Sequence, residues 1–174
     1  MRVLDSWGAT EDDLRRLLPC DEVFPDAEAV VHRAVDVAAP PDTVFRWLCQ
    51  LRAAPYSYDL VDNLGRRSPR QLTPGLDRLV VGQPAMRIFR LASFTRPEQL
   101  TFEHRGLFGR VVVTYAVTAT SAGSHLLMRL RWTPPSLPLP RGLVRRAVVA
   151  GDLVMARRQL LNLKRLAERD APAT

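Results

Sequence analysis

Residues 110–120 and 125–133 constrain this chain more tightly than any other segment. Apolar and polar side chains alternate along both with the period of two that marks a half-buried strand, and Gly123 lies between them. With Ser121–Ser124 as the loop and Thr120 opposite His125, Val117 faces Met128, Tyr115 faces Leu130 and Val113 faces Trp132. The other face sets Thr118 against Leu127, Ala116 against Arg129 and Thr114 against Arg131. One dry face and one largely wet face are what an antiparallel sheet with a core on one side requires. A one-residue slip would oppose Tyr115 to an arginine and mix the faces. The same parity turns Leu100, Phe102 and His104 of the preceding strand inward.

The rest of the chain supplies more strands and a cover for the dry face. Strands are expected at 79–82, 85–94 and 99–105, and earlier at Val30–Val37, with Val31, Val35 and Val37 on one side. Thr10, followed by Glu11, Asp12 and Asp13, predicts a capped helix with Leu14, Leu17 and Leu18 as its apolar face, ended by Pro19. Cys20 falls in the loop that follows. Pro40-Pro41 opens a second helix, in which Val44, Trp47, Leu48 and Leu51 are spaced for one face and Cys49 reads as a small core residue. Residues 52–78, rich in proline, glycine and charge, read as loop and turn. After a proline-rich crossing at 134–140, a helix over about 142–168 carries a stripe of Leu143, Val144, Ala147, Val148, Gly151, Val154, Met155 and Leu161. At about 1.5 Å per residue it is about 40 Å long, enough to cross the concave face of a broad sheet.

A chain of 174 residues fits one domain, divided here into an extension (1–28), a strand–helix–sheet region (29–133) and a terminal helix (141–169). The net charge of +7 comes almost wholly from arginines spread from Arg2 to Arg169, which reads as solvated charge. No basic cluster is interleaved with aromatics, so no nucleic-acid partner is expected. The basic end of the terminal helix leaves room for weak contact with an anionic membrane. Two distant cysteines suggest reduced thiols, and Met1–Thr10 lacks the pattern of a signal peptide, so a cytoplasmic location is expected. No metal-ligand spacing, phosphate loop or dinucleotide fingerprint occurs, so no metal or cofactor is expected.

The order of elements and several local patterns carry a resemblance. Trp7-Gly8-Ala9-Thr10 and Leu18-Pro19 come first, then Ala39-Pro40-Pro41-Asp42-Thr43-Val44-Phe45 with Trp47-Leu48. Tyr56-Ser57-Tyr58-Asp59 with Asn63-Leu64 follows, and Gly151-Asp152-Leu153-Val154-Met155 with Arg157, Leu161 and Lys164-Arg165 closes the set. Together they resemble the START-related, pollen-allergen-like superfamily called SRPBCC, in particular a bacterial polyketide cyclase/dehydrase-like branch. The resemblance implies a helix-grip α+β fold, a curved antiparallel sheet around a long C-terminal helix. It implies a cavity more strongly than a reaction.

The expected function is binding of a hydrophobic small molecule, lipid-like or polyketide-like, as a carrier or sensor. Tyr58, Phe102, His104, Tyr115, Met128, Trp132 and Met155 are the expected cavity residues, each of which also fits plain core. The alternative is a polyketide cyclase/dehydratase in which His104 acts as acid or base with Tyr58 or Asp59. His104 equally fits a strand-end histidine, and Asp59 an ordinary turn at the start of a short helix. Arg158 is expected either to snorkel past the sheet edge or to meet an acidic ligand group. A third reading is an interaction module whose cavity has collapsed.

Overall fold

The computed structural model describes residues 4–106, 109–135 and 140–172. In chain order the elements are β1 (Ser6–Trp7), α1 (Glu11–Arg15), α2 (Pro19–Val23), β2 (Ala29–Val37), α3 (Pro41–Cys49) and a 3₁₀ turn (Gln50–Arg52). Then come α4 (Asp59–Asp62), β3 (Pro84–Ala85), β4 (Phe89–Thr95), β5 (Gln99–Gly106), β6 (Gly109–Thr120), β7 (Gly123–Thr133) and α5 (Arg141–Arg169). The strands form one sheet in the order β1-β2-β7-β6-β5-β4-β3. Every pair is antiparallel except β1 with β2. α5 packs on β2 and α3, giving the helix-grip α+β fold.

The sheet register differs from the sequence expectation by two residues. Tyr115 pairs with Met128, Val117 with Leu126 and Val113 with Leu130. The cause is a tighter turn: Thr120 pairs with Gly123, so only Ser121 and Ala122 lie between the strands. Gly123 has φ +136°, and a Cβ there would stand 2.3 Å from the carbonyl oxygen of Val37, so only glycine lets β7 begin against β2. A shift by two keeps the side-chain parity, so every residue keeps its face.

Inner-face residues line up in rows across the strands. One row is Leu100, Tyr115, Met128 and Arg33; the next is Phe102, Val113, Leu130 and Val31. Trp47, Leu48, Leu51, Leu160 and Leu163 from α3, the 3₁₀ turn and α5 close over this face. The outer face is not wet. Leu18, Cys20 and Phe24 of the N-terminal extension pack on Ala34, Val112, Ala116 and Leu127. Arginines of the outer face hold the extension down. Arg129 reaches Asp21 and the Asp13 carbonyl, and Arg131 reaches Asp21 and the Phe24 carbonyl, both at 2.6 Å. Arg110 stacks 4.1 Å above the Phe24 ring.

Several local expectations change. α1 ends at Arg15, short of Pro19, which instead starts α2; this makes Cys20 a buried helical residue, and Leu17 points to solvent. The Thr10–Asp13 capping box forms as expected. Residues 79–82 are not a strand, and Val80 and Val81 are exposed. β4 starts only at Phe89, because Met86 and Arg87 turn the chain through positive φ values of 42° and 68°. The buried stripe of α5 is Val149, Ala156, Gln159, Leu160, Leu163, Leu166 and Ala167, rotated from the expected one. Leu143 and Val154 are exposed, while Val144 packs on the cluster of Ala29, Val111 and Trp132 and Val149 is buried. On the outer face, His125 Nδ1 lies 2.6 Å from Asp36 and its Nε2 3.0 Å from Asp13.

Candidate functional site

Beneath α5 lies a cavity of about 480 Å³. Its floor is Val113 and Tyr115 of β6 with Met128 and Leu130 of β7, adjacent residues of the two inner rows. Its roof is one face of α5, where Asp152, Met155, Ala156 and Gln159 recur at helical spacing. The mouth is formed by the loop after α3 and by the β3–β4 turn, where Val61, Leu64 and Ile88 expose apolar surface.

The loop and the helix are stitched by α5 side chains. The Gln159 amide donates to the Pro55 carbonyl at 2.6 Å, and the Asn162 amide donates to the Tyr56 carbonyl at 2.8 Å. Tyr115 donates its hydroxyl proton to Gln159 Oε1 at 2.6 Å. Burial and the nearby Asp152 charge hold that phenol well above its ordinary pKa. Backbone strain is concentrated here: Tyr56, Met86 and Arg87 all have positive φ.

The roof also holds a carboxylate. Asp152 is met at 2.9 Å by the guanidinium of Arg33, which is fully buried in the inner row beside Met128. Burial pushes the Asp152 carboxyl up to about 6, against the pull of Arg33. Arg33 also donates to the carbonyls of His32 and Leu4, each at 2.9 Å. These two residues were not anticipated, although strand parity points to the first. Arg33 lies between Val31 and Val35 on the inward side, and a charge placed there needs a buried partner.

Of the residues singled out in the sequence, Tyr115, Met128 and Met155 line the cavity. Phe102 packs edge-on against Tyr115, with ring centroids 6.1 Å apart. Trp132 lies in a separate cluster with Ala29 and Val111. Tyr58 and Asp59 line a neighbouring depression, where Arg158 stacks 5.9 Å from the Tyr58 ring. The Asp59 carboxylate accepts from the Ser68 amide at 3.0 Å and its hydroxyl at 2.5 Å, which fixes a turn. His104 sits near the end of β5, with Nδ1 2.9 Å from the Ile88 carbonyl and its ring near Phe89. Both cysteines are buried, and burial raises the Cys49 thiol to about 11. Among the described residues no cluster of histidine, cysteine and carboxylate side chains could hold a metal, and no helix is long and apolar enough to cross a membrane.

A sheet gripping one long helix recurs in solved structures. A protein from Thermus thermophilus matches with a TM-score of 0.54 at 17% identity, covering 83% of this chain and 100% of its own. The likeness shows a shared helix-grip fold. A Rhodobacter sphaeroides protein shares this fold with a TM-score of 0.51 at 18% identity, covering 80% of this chain and 89% of that one. The di-domain ARO/CYC StfQ of the steffimycin biosynthetic pathway also has a TM-score of 0.51 at 15% identity, covering 86% of this chain and 54% of StfQ. No family model and no curated protein matches the sequence.

Proposed function

We propose that this SRPBCC-fold chain binds a hydrophobic small molecule, lipid-like or polyketide-like, in the cavity beneath α5, as a carrier or sensor. The observation that carries this reading is the cavity of about 480 Å³, floored by Val113, Met128 and Leu130 and rimmed by exposed Val61, Leu64 and Ile88. Apolar walls with a few convergent polar groups are the usual make-up of a small-molecule site. Tyr115 and Met128, expected from the sequence to meet the ligand, stand on its floor, and Met155 stands on its roof.

A second reading, a cyclase or dehydratase, is favoured by one observation. The cavity roof holds Asp152, whose carboxyl is pushed up to about 6, near the working range of a general acid or base. The overall likeness to StfQ supports that reading at the level of the fold. In it Asp152 takes the proton-handling role, since His104, Tyr58 and Asp59 are not among the cavity-lining residues.

Native mass spectrometry of the purified protein, with a thermal-shift screen of fatty acids, sterols and aromatic polyketides, tests the binding reading. At a ligand excess of about a hundredfold over Kd, stabilisation of about 2.7 kcal/mol raises the melting temperature by about 5–10 °C. A Val113→Trp substitution fills the floor and removes the shift. No adduct and no shift from any member of the panel would overturn binding. A bound molecule released with altered mass would favour the enzyme.

A further inference from the structure

The polar atoms of the cavity wall are uneven in kind. Tyr115 spends its only proton on Gln159, and the Gln159 amide donates to the Pro55 carbonyl and to the Met86 sulfur. Asp152 brings a carboxylate. What these groups offer a guest is therefore acceptor capacity. The other polar side chains of the lining are a half-buried Ser57 and an exposed Arg87, both on the mouth segments.

Arg33 does not reverse this preference. It is fully buried and is not part of the lining, and its two terminal nitrogens serve the carbonyls of His32 and Leu4 and the Asp152 carboxylate. Its role is to hold negative charge on Asp152 from behind. A guest anion would meet that carboxylate before it met the guanidinium. A guest with only acceptors would leave the remaining acceptor capacity of Asp152 desolvated and without a donor, and burying an unsatisfied polar group is costly. A guest donor would satisfy it with a charge-assisted hydrogen bond, the stronger kind.

We propose that Asp152 is a ligand-recognition residue: among apolar molecules that fit the cavity, the protein selects those carrying a hydroxyl, phenol or amine that donates to the Asp152 carboxylate. The inference rests on the cavity being a ligand site. Along α5, Asp152 and Gln159 are two turns apart, about 10 Å. The selected donor therefore belongs at one end of the guest, with the apolar body lying over Met155 and Ala156.

The test is calorimetric titration with a matched set: naphthalene, 2-naphthol and 2-methoxynaphthalene. The three share one apolar body, and only the naphthol donates. Wild-type protein is expected to bind 2-naphthol about tenfold more tightly than either of the others. Asp152→Leu alone strands Arg33 and is prone to misfold, so the informative variant is Arg33→Met/Asp152→Leu, which removes both charges. In that variant the three molecules are expected to bind within about twofold of one another. Equal binding of all three to the wild type overturns the selection while leaving the cavity a ligand site. A naphthol preference that survives in the double variant places the acceptor elsewhere and overturns the role of Asp152. No binding of any of the three to folded wild type removes the ligand site and this inference with it.

Discussion

At the scale of single residues, two ionic arrangements set the behaviour with pH and mutation. His125 has a carboxylate at each ring nitrogen, an arrangement satisfied fully only when both nitrogens carry protons. Burial opposes the charge, but the Asp36 and Asp13 bonds outweigh it and raise the ring above 6.5. Asp13 shifts the other way: burial is outweighed by Thr10 and His125, and its carboxyl falls below 3.8. The raised histidine contributes stability that is lost as pH rises through its folded value. The lowered carboxylate contributes stability that is lost as pH falls through its own. This contact is therefore strongest between pH 3.8 and 6.5. Proton NMR of the His125 ring should give a midpoint above 6.5 that drops on Asp13→Asn, and a wild-type midpoint at or below 6.5 would refute the bracket. Arg33 and Asp152 make a second test. Arg33→Ala strands a buried carboxylate and should cost about 3–5 kcal/mol in denaturant unfolding. Arg33→Met/Asp152→Leu should stay within about 2 kcal/mol of wild type, because a buried pair gains little over apolar packing. The double variant also gives up the Arg33 bonds to the carbonyls of His32 and Leu4, while the Nε of Arg33 has no acceptor among the described residues to lose.

At the scale of elements, the N-terminal extension is a structural layer. α1 and α2 are five residues each, too short to persist alone, so they exist because the sheet receives them. Phe24 is 6% exposed between the outer face and the Arg110 guanidinium. Phe24→Ala should cost about 3 kcal/mol, read as a lower denaturant midpoint with an unchanged slope. A loss under about 0.5 kcal/mol would show that the extension is not integral to the folded unit. This layer is also why Arg129, placed by alternation on a wet face, is 3% exposed. Alternation identifies two faces and says nothing of what covers the second. α5 teaches the same at helical period: its buried face includes Gln159, whose polar atoms are matched by Tyr115 and Pro55. Hydropathy alone prefers Val154, which is 54% exposed.

At the scale of the whole molecule, a sheet of seven strands and one helix of 29 residues enclose more space than the side chains between them fill, and the cavity is the remainder. The sequence alone determined the features written in local periods and breakers. These are the order of strands and helices, the inward parity of Tyr115, Met128 and Phe102, the apolar face of α3 and the Thr10 capping box. They were legible because pleat and helical turn repeat within a few residues, so each segment carries its own signal. The tertiary structure decided what depends on meetings across long separations. The hairpin register turned on a glycine lying against Val37, a contact between distant segments. Trp132 and His104 share the inner face yet lie off the cavity lining, because the void sits under only part of the sheet. The pairing of Arg33 with Asp152 joins residues more than a hundred positions apart. A charge in an apolar pattern announces that it needs a partner, but only the packed chain brings one, because the cost of leaving it alone arises only once water has been excluded.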